Sequence, residues 1–369
     1  MIKDLLKNTD FLIVICVVAL VAIGIIGIYS AGYATEVNKD EYLKQMIFFG
    51  IGFVILLVLY LIPNSTFEFG GYVLYGISTI LLVIVLFTPK IMGAHSWFNF
   101  GGFLYQPSEL MKIGYILTFS KLLMMYKKMK ANKIKKIVLI LLLCLSFVVP
   151  VGLIMLQPDF GTAVVFAFIT FFILFKSGLK YRYIFIALAL VAVMIPIVYF
   201  GILNDTQKAR IDVYLDPTID PLGSGYNAIQ SELAVGSGMI IGTGFLQGVQ
   251  TQLGFVPIKT SDFIYSVLSE EFGFIMSFII VVLFTILIAR TIRVSKYAED
   301  EYLGMVVIGI AGMFFFHFVQ NIGMTIGLMP ITGVPLPFVS YGGSNMITNM
   351  ISLGIILNVS ARKQKTILF

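Results

Sequence analysis

Runs of about 18 or more apolar residues recur ten times along this chain of 369 residues. A helix needs about 20 mainly apolar residues to cross a hydrocarbon core of about 30 Å, so each run is long enough to span a membrane. Apolar residues make up 59% of the chain and charged residues only 12%, which excludes an ordinary soluble domain. We therefore predict an all-α, polytopic integral membrane protein with about ten transmembrane helices. The predicted spans cover residues 11–30, 42–61, 71–89, 106–125, 137–156, 160–176, 183–200, 263–289, 302–322 and 341–360.

The distribution of Lys and Arg predicts the orientation, because cytoplasmic loops carry an excess of these residues. With the N-terminus inside, most of the 25 Lys and Arg residues fall on the cytoplasmic side and only six lie in outer segments. We therefore expect both termini in the cytoplasm and one domain, residues 1–369, with a large extracytoplasmic loop at about 201–263. The net charge of +6 then reflects topology and attraction to anionic inner-leaflet lipid, and no nucleic-acid partner is expected.

Several common motifs are missing from the sequence, and this narrows the function. No phosphate-binding loop or zinc motif occurs, and the Gly-rich segment 236–244 lacks the βαβ unit that a dinucleotide site needs, so we interpret it as a flexible or close-packed loop. Cys16 and Cys144 both fall in predicted spans, which makes a disulfide framework improbable. A synthetic reaction without a nucleotide needs an activated donor, and a lipid-linked diphosphate is the obvious class.

Asp262 lies where the chain re-enters the membrane after the long loop. A charge at that boundary is costly and suits chemistry on a substrate with one end in the bilayer. Capping of the following helix is the alternative role, although the Thr and Ser just before Asp262 would suffice for a cap. Further carboxylates are predicted towards the same membrane face, which a cap alone does not require. They belong to Glu109, Asp159, Glu270 and Glu271.

Two more charged positions lie at predicted outer helix ends. Pro107 opens the fourth span, and Glu109 and Lys112 follow three residues apart on one helix face. For Lys112, a salt bridge that pins the helix and a role in contacting phosphate or tuning a site carboxylate are both open. Asp159 lies between the fifth and sixth spans, where spacing alone favours a helix cap.

The last outer loop, together with the end of the ninth span, covers residues 321–345 and is rich in Gly and Pro. Such a segment at membrane depth must line a cavity or pack on protein, because lipid cannot satisfy its backbone groups. His317, in the ninth span, fits a satisfied core residue better than a ligand. Trp97, in a loop that also holds His95, suits an interfacial anchor.

Five short motifs occur in the order typical of one family, and together they cover essentially the whole chain. The chain resembles the shape, elongation, division and sporulation (SEDS) proteins, membrane-embedded glycosyltransferases that polymerise peptidoglycan, and segments 321–324 and 332–337 look like the elongation members. In one departure, Ser96 stands where many members carry Arg, so a phosphate contact ascribed to that Arg cannot be carried over. The motifs are Gly-Ala-x-x-Trp at 93–97, Gln-Pro-Ser-Glu-x-x-Lys at 106–112, Gln-Pro-Asp-x-Gly-Thr at 157–162, Thr-Ser-Asp-Phe-Ile at 260–264 and Pro-Phe-x-Ser-Tyr-Gly-Gly-Ser at 337–344.

The resemblance implies polymerisation of lipid II, a disaccharide-pentapeptide on undecaprenyl diphosphate, outside the bacterial plasma membrane during cell elongation. Asp262 would then be the general base that takes the proton from the 4-hydroxyl of the acceptor sugar. The leaving diphosphate needs cationic stabilisation, from Lys112, Arg210 or a divalent cation such as Mg²⁺ or Mn²⁺ whose ligands the sequence does not identify. The predicted substrate-binding residues are Lys112, Glu109, Arg210, Asp159, Trp97, Gln106, Ser340, Gly342 and Gly343.

The resemblance also implies partners, namely a class B penicillin-binding protein and other membrane proteins of the elongation complex. Two other function classes compete with the enzyme: a flippase or transporter of lipid-linked precursors, and a non-enzymatic scaffold. Transporters tend to place ionisable sites near the membrane midplane between inverted repeats. Here the candidates crowd the predicted outer face, which favours the enzyme.

Overall fold

The computed structural model describes residues 8–33, 39–91, 93–101, 103–129, 132–178 and 223–362, together with residues 208, 212–214, 216, 219 and 220. Helices dominate this part of the chain, and one short hairpin accompanies them. The helices are α1 (Phe11–Tyr33), α2 (Glu41–Leu61), α3 (Ser65–Val85), α4 (Pro107–Lys128), α5 (Lys133–Leu156), α6 (Phe160–Lys176), α7 (Ser224–Ser237), α8 (Val249–Gln252), α9 (Ile264–Lys296), α10 (Glu301–Thr325) and α11 (Gly343–Ala361), and the strands are β1 (Phe98–Phe100) and β2 (Phe103–Tyr105).

Nine of the ten predicted spans are confirmed as long helices, and the seventh, 183–200, lies outside the described residues. Six of the nine, namely α1, α2, α3, α5, α9 and α10, are long and apolar enough to cross a membrane by length and composition alone. Helix α6 is shorter, and α4 and α11 carry more polar residues. Both α4 and α11 are buried along most of their length, so protein rather than lipid surrounds those polar side chains.

Helix α10 lies at the centre of the bundle. Within its apolar window 83% of the residues are buried, compared with 17% for α2, which faces outward. Buried side chains from α1, α4, α6, α9, α10 and α11 form one continuous core. The core therefore surrounds α10, and the Gly- and Pro-rich loop at residues 326–342 directly follows the end of α10.

Two features depart from a plain bundle of helices. The antiparallel strands β1 and β2 form a hairpin just before α4, in a segment too short for periodicity to reveal. Helix α9 is broken at Gly273, whose φ of +70° is non-helical. The part of the predicted long loop that is described holds α7 and α8, so this segment is ordered rather than a simple connection.

Ion pairs hold the bundle at the end predicted to be cytoplasmic. Arg290 on α9 lies 2.7 Å from the carboxylate of Asp10, which joins α9 to the start of α1. Lys121 on α4 pairs with Glu68 on α3, and this pair is partly exposed, with 18% and 37% of the two side chains accessible. These contacts lie far from the residues predicted to form the site.

Candidate active site

The predicted site residues gather at one end of the bundle. Consecutive spanning helices run in opposite directions, so the starts of α2, α4, α6, α9 and α11 meet the end of α10 there. Hydrogen bonds join these starts directly: α4 to α6, α4 to α11, and α10 to the turn before α9. The structure therefore brings together residues that are up to 238 positions apart in the chain.

Asp262 lies in the turn before α9, and its side chain is half-buried. Phe263 occupies the N-cap position of α9, so Asp262 lies one residue outside the cap. The amide of Asn321 donates to the backbone carbonyl of Asp262 at 2.9 Å, and the Ser261 hydroxyl lies 3.3 Å from Oδ1. Gly333 faces the carboxylate so closely that a Cβ there would lie 3.4 Å from Oδ2. The backbone of Asp262 is thus fixed, while its carboxylate faces the loop after α10.

Ser340 holds the turn that carries Asp262. Its fully buried hydroxyl donates to the carbonyl of Ser261 at 2.7 Å and accepts from the backbone N–H of Leu336 at 2.8 Å. Gln45 on α2 then donates to the Ser340 carbonyl at 2.9 Å and accepts from Gly342 at 3.2 Å. The predicted substrate-binding residues Ser340 and Gly342 therefore lie in a hydrogen-bonded scaffold directly behind Asp262, and sequence reasoning missed Gln45.

We expect Ser340→Ala to destabilise the protein by about 1–3 kcal/mol, because two buried backbone groups lose their partner. Thermal unfolding of the purified protein measures this loss. Ser352→Ala is the matched control, since Ser352 is equally buried in the helix that follows, α11, but bonds to the Thr348 carbonyl one turn earlier and not to the turn of Asp262. Equal effects of the two substitutions would contradict the role of Ser340 in the scaffold.

Lys112 is buried, with 2% of its side chain exposed. Its Nζ lies 2.9 Å from Glu109 Oε1, as the salt-bridge alternative predicted, and 3.1 Å from His317 Nε2. The Nδ1 of His317 lies 2.9 Å from the carbonyl oxygen of Pro335, which can only accept, so Nδ1 carries the proton and Nε2 accepts from Lys112. The ammonium group thus ties α4 to α10 and to the loop after α10, and His317 is a satisfied core residue as predicted.

Asp159 caps α6 as predicted and also contacts α4. It accepts from the backbone N–H of Thr162 at 3.1 Å, from the Thr162 hydroxyl at 2.8 Å and from the Gln106 amide at 3.0 Å. Burial raises the pKa of the Asp159 carboxyl above its usual value, although the Thr162 hydrogen bonds and Lys112 act in the opposite direction. Asp159 therefore lies within electrostatic range of Lys112, which a helix cap does not need.

Glu270 on α9 follows Asp262 and forms hydrogen bonds with α8, which precedes Asp262 in the chain. Glu270 is fully buried and accepts from the N–H groups of Gln250 and Thr251 and from the Thr251 hydroxyl, at 2.6–3.0 Å. The carbonyl of Thr251 accepts from Lys259 at 2.9 Å, and burial lowers the pKa of that ammonium. Glu270 thus anchors α8, and α8 anchors the residues that lead to Asp262. The sequence indicated these carboxylates at this end of the bundle but not their partners.

The remaining predicted residues have clear positions or lie outside the described chain. Trp97 is half-buried beside the hairpin, and its backbone carbonyl accepts from Thr88 at 3.2 Å. Ser96, the position of the one departure from the family motif, is buried. Gly343 lies against the Phe48 and Phe103 rings, and a Cβ there would come within 2.7 Å of both. Arg210 lies outside the described residues.

Several buried polar atoms at this end of the bundle have no hydrogen-bond partner within the described ranges. They add acceptors and donors to the surroundings of Asp262 and Lys112, and buried polar atoms without a partner are uncommon in folded proteins. Together with a half-buried carboxylate, they form a site suited to a polar group that is delivered at the membrane surface. The atoms are Ser108 Oγ, Glu109 Oε2, Asn321 Oδ1 and Thr332 Oγ1.

The fold and the site define a multi-pass membrane protein with an acidic, polar site at one end of its helix bundle. This chain belongs to the FtsW/RodA/SpoVE family of cell cycle proteins, because the model of that family matches residues 10–365. The resemblance drawn from the five motifs is therefore confirmed.

Relatives and solved structures agree with this assignment. The chain is 38% identical over 315 residues to the peptidoglycan glycosyltransferase MrdB of Escherichia coli K12, which covers 85% of this chain and 84% of MrdB. A chain from a peptidoglycan synthase complex that coordinates polymerization and crosslinking matches with a TM-score of 0.79 at 30% identity, over 95% of this chain and 97% of that one. The rod shape determining protein RodA of Thermus thermophilus matches with a TM-score of 0.70 at 27% identity, over 97% and 98%.

Proposed function

We propose that this chain is a peptidoglycan glycosyltransferase that polymerises lipid II into glycan strands during cell elongation. It acts at the outer face of the bacterial plasma membrane. Relatives that are named peptidoglycan glycosyltransferases support the proposal, and so does the predicted orientation from Lys and Arg. The observation that carries it is Asp262, a half-buried carboxylate at the end of the bundle, with its backbone fixed by Asn321 and Ser340.

In the proposed reaction, the 4-oxygen of the acceptor sugar bonds to the anomeric carbon of the donor, and the bond from that carbon to the diphosphate breaks. Asp262 takes the hydroxyl proton as the new bond forms, because a carboxylate is too weak to ionise a sugar hydroxyl beforehand. Such general-base assistance contributes on the order of 10²- to 10⁴-fold. The undecaprenyl chain stays in the bilayer, which holds the reactive carbon near the depth of Asp262.

The departing diphosphate gains negative charge and needs cations. Lys112 is held by Glu109 and His317, so in this proposal it acts as a fixed charge beneath the site and orients Asp159 and the loop after α10. Arg210 is the proposed direct phosphate contact from the long loop. In this proposal Lys112 positions neighbouring groups, and Arg210 neutralises the charge of the phosphate.

A divalent cation at this site would need ligands from the substrate as well as from the protein. In the ranges that the structure describes, no three His, Cys, Asp or Glu side chains lie close enough together to hold a metal ion. Mg²⁺ is commonly bound by one or two carboxylates plus substrate phosphates, and Asp159 and Asp262 offer such carboxylates. The ion would neutralise the diphosphate as it leaves.

The test is an assay with purified protein and lipid II in liposomes, run with chelator and with added Mg²⁺ or Mn²⁺. Glycan strands identify a polymerase, and activity lost with chelator and restored by one ion supports the cation. Movement of lipid II between leaflets without glycan would instead identify a transporter. If neither occurred, the chain would be a scaffold, and the proposal would fail.

We propose that a class B penicillin-binding protein works with this chain, along with other membrane proteins of the elongation complex. The support is the similarity to a chain of a peptidoglycan synthase complex, which joins polymerization to crosslinking. A transpeptidase next to the site would receive the new strand as it leaves. Copurification from bacterial membranes with mild detergent tests this pairing.

We expect Asp159→Asn to lower glycan synthesis at least tenfold without loss of thermal stability at neutral pH. Asn caps helices as well as Asp, so the cap survives while the charge is lost. Because burial raises the pKa of Asp159 in the folded protein, ionisation of this carboxyl lowers the stability of the fold as the pH rises through that pKa. A neutral amide at this position removes that loss of stability. Parallel polymerisation and melting measurements check both parts. Normal activity in Asp159→Asn would show that Asp159 serves only as the cap of α6.

A further inference from the structure

The Gly-rich segment 236–244 has no part in the proposed reaction, but it occupies a specific place in the fold. It runs beside the break in α9, and four backbone hydrogen bonds of 2.9–3.2 Å join the two segments. This is the close-packed loop that one of the two sequence interpretations predicted. The bonds run from Thr243 N to Glu270 O, from Gly244 N to Glu271 O, from Phe274 N to Met239 O and from Ile275 N to Ile240 O.

Glycines allow the two backbones to approach this closely. A Cβ at Gly242 would lie 2.1 Å from the Glu271 carbonyl oxygen, and a Cβ at Gly238 would lie 1.9 Å from the Ser269 carbonyl oxygen. On the other side, Gly273 breaks α9 with a positive φ and faces the backbone of Ile240. The break in α9 and the Gly-rich segment therefore form one interlocked unit.

This unit lies beside the predicted span 263–289, well past the start of that span. Gly273 follows the start of α9 by nine residues, which is about 14 Å along a helix at 1.5 Å per residue. Asp262 lies at the end of the bundle just before that start. A hydrocarbon core is about 30 Å thick, so the segment paired with Gly273 reaches well into the outer half of the bilayer.

The side chains of this segment are apolar and point away from the protein. Met239, Ile240 and Ile241 are 78%, 68% and 77% exposed. The nearby side chains Phe274 and Phe278 on α9 are 64% and 56% exposed, and α9 is a candidate membrane span. The three residues therefore extend the exposed apolar surface of a candidate membrane span.

The sequence around the segment fits burial in lipid. No charged residue lies between Glu232 and Lys259, although the first half of the predicted loop contains several Asp, Lys and Arg residues. A non-helical segment is tolerated at membrane depth when its backbone groups are bonded within the protein, and the four hydrogen bonds to α9 provide such partners.

We propose that residues 233–258 form a re-entrant element whose tip, Met239 to Ile241, inserts among the lipid acyl chains of the outer leaflet. The partner of this surface is the bilayer itself. The predicted aqueous loop is then divided in two, with a charged part in water and an uncharged part in the membrane. This inference does not depend on the proposed glycosyltransferase activity.

Fluorescence quenching in reconstituted bilayers tests the proposal, because Trp97 is the only tryptophan of the chain. In a Trp97→Phe background, Ile240→Trp places a single fluorophore at the tip. Phe278→Trp is the lipid-facing control. Ile219→Trp is the aqueous control, since Ile219 is 63% exposed in a segment that also contains Asp212, Asp216 and Asp220.

We expect lipids brominated on their acyl chains to quench Ile240→Trp as strongly as Phe278→Trp, so that it loses most of its emission. Acrylamide should quench it far less than Ile219→Trp. Bromine near the methyl end of the chain should act more strongly than bromine near the glycerol end, because a depth of about 14 Å is close to the middle of a hydrocarbon core of about 30 Å. Ile241→Trp repeats the measurement if Ile240→Trp fails to fold. Acrylamide quenching equal to that of Ile219→Trp, without quenching by brominated lipid, would overturn the proposal.

Discussion

Replacing Asp262 by Asn is expected to lower the rate of glycan synthesis by about 10²- to 10⁴-fold, the usual contribution of a general base. The amide has nearly the same volume as the carboxylate but cannot take the proton of the acceptor hydroxyl. Thermal stability should stay the same, because Asn321 bonds to the backbone carbonyl of Asp262 and Ser340 to the residue before it. The measurement is polymerisation of lipid II by the purified variant, with melting recorded in parallel.

Asp300→Asn is a suitable control for this experiment. Asp300 is also half-buried just before a long helix, α10, but it lies at the opposite end of the bundle and its side chain makes no cap hydrogen bond. We expect normal activity from this variant. Strand synthesis at an ordinary rate by Asp262→Asn would remove the base assignment, and equal losses in both variants would point to a general effect of lost charge.

Replacing Lys112 by Met should be the most destabilising single change at the site. It leaves the buried Glu109 carboxylate without its cation and His317 Nε2 without its donor, and breaking one side of a buried ion pair costs about 3–5 kcal/mol. The double variant Glu109→Gln with Lys112→Met should recover part of this loss, because no unpaired buried charge remains. A double-mutant cycle on thermal or denaturant unfolding measures the coupling.

Lys121→Met provides the comparison on the same helix. Its ion pair with Glu68 is partly exposed, and such pairs contribute at most about 1 kcal/mol. A much larger loss of stability in Lys112→Met than in Lys121→Met supports the buried pair as a structural anchor. If the two variants had the same melting temperature, the contacts of Lys112 with Glu109 and His317 would contribute little to stability.

The helices were predictable because lipid imposes a strong pattern on sequence. Each span needs a long apolar run, and nine of these runs became helices whose ends lie up to seven residues from the expected bounds. The break in α9 was not predictable, because Gly273 is one of 34 glycines and many others lie inside intact helices. The hairpin before α4 has only three residues in each strand, too few for an alternating pattern to be distinguished.

The candidate site was predictable in its members but not in its contacts. Alternating helix directions bring Gln106, Asp159 and Asp262 to one end, and the motif order indicated these residues. Pairings such as Lys112 with His317, or Gln45 with Ser340, join residues about two hundred to three hundred positions apart. A single sequence carries no signal for such pairings, because many side chains with suitable chemistry are available in the core.

The hydrogen bonds through Gln45 and Ser340 connect α2 to the turn that carries Asp262. Helix α2 is the most lipid-exposed of the candidate spans, yet one of its few buried side chains bonds to the backbone on both sides of Tyr341, and Ser340 bonds to the turn of Asp262. A sideways displacement of α2, whether by bilayer thickness or by a neighbouring helix, would pull on this linkage. With Asp262 in its proposed role as the base, the rate of glycan synthesis would then respond to forces in the plane of the membrane without any ligand entering the site.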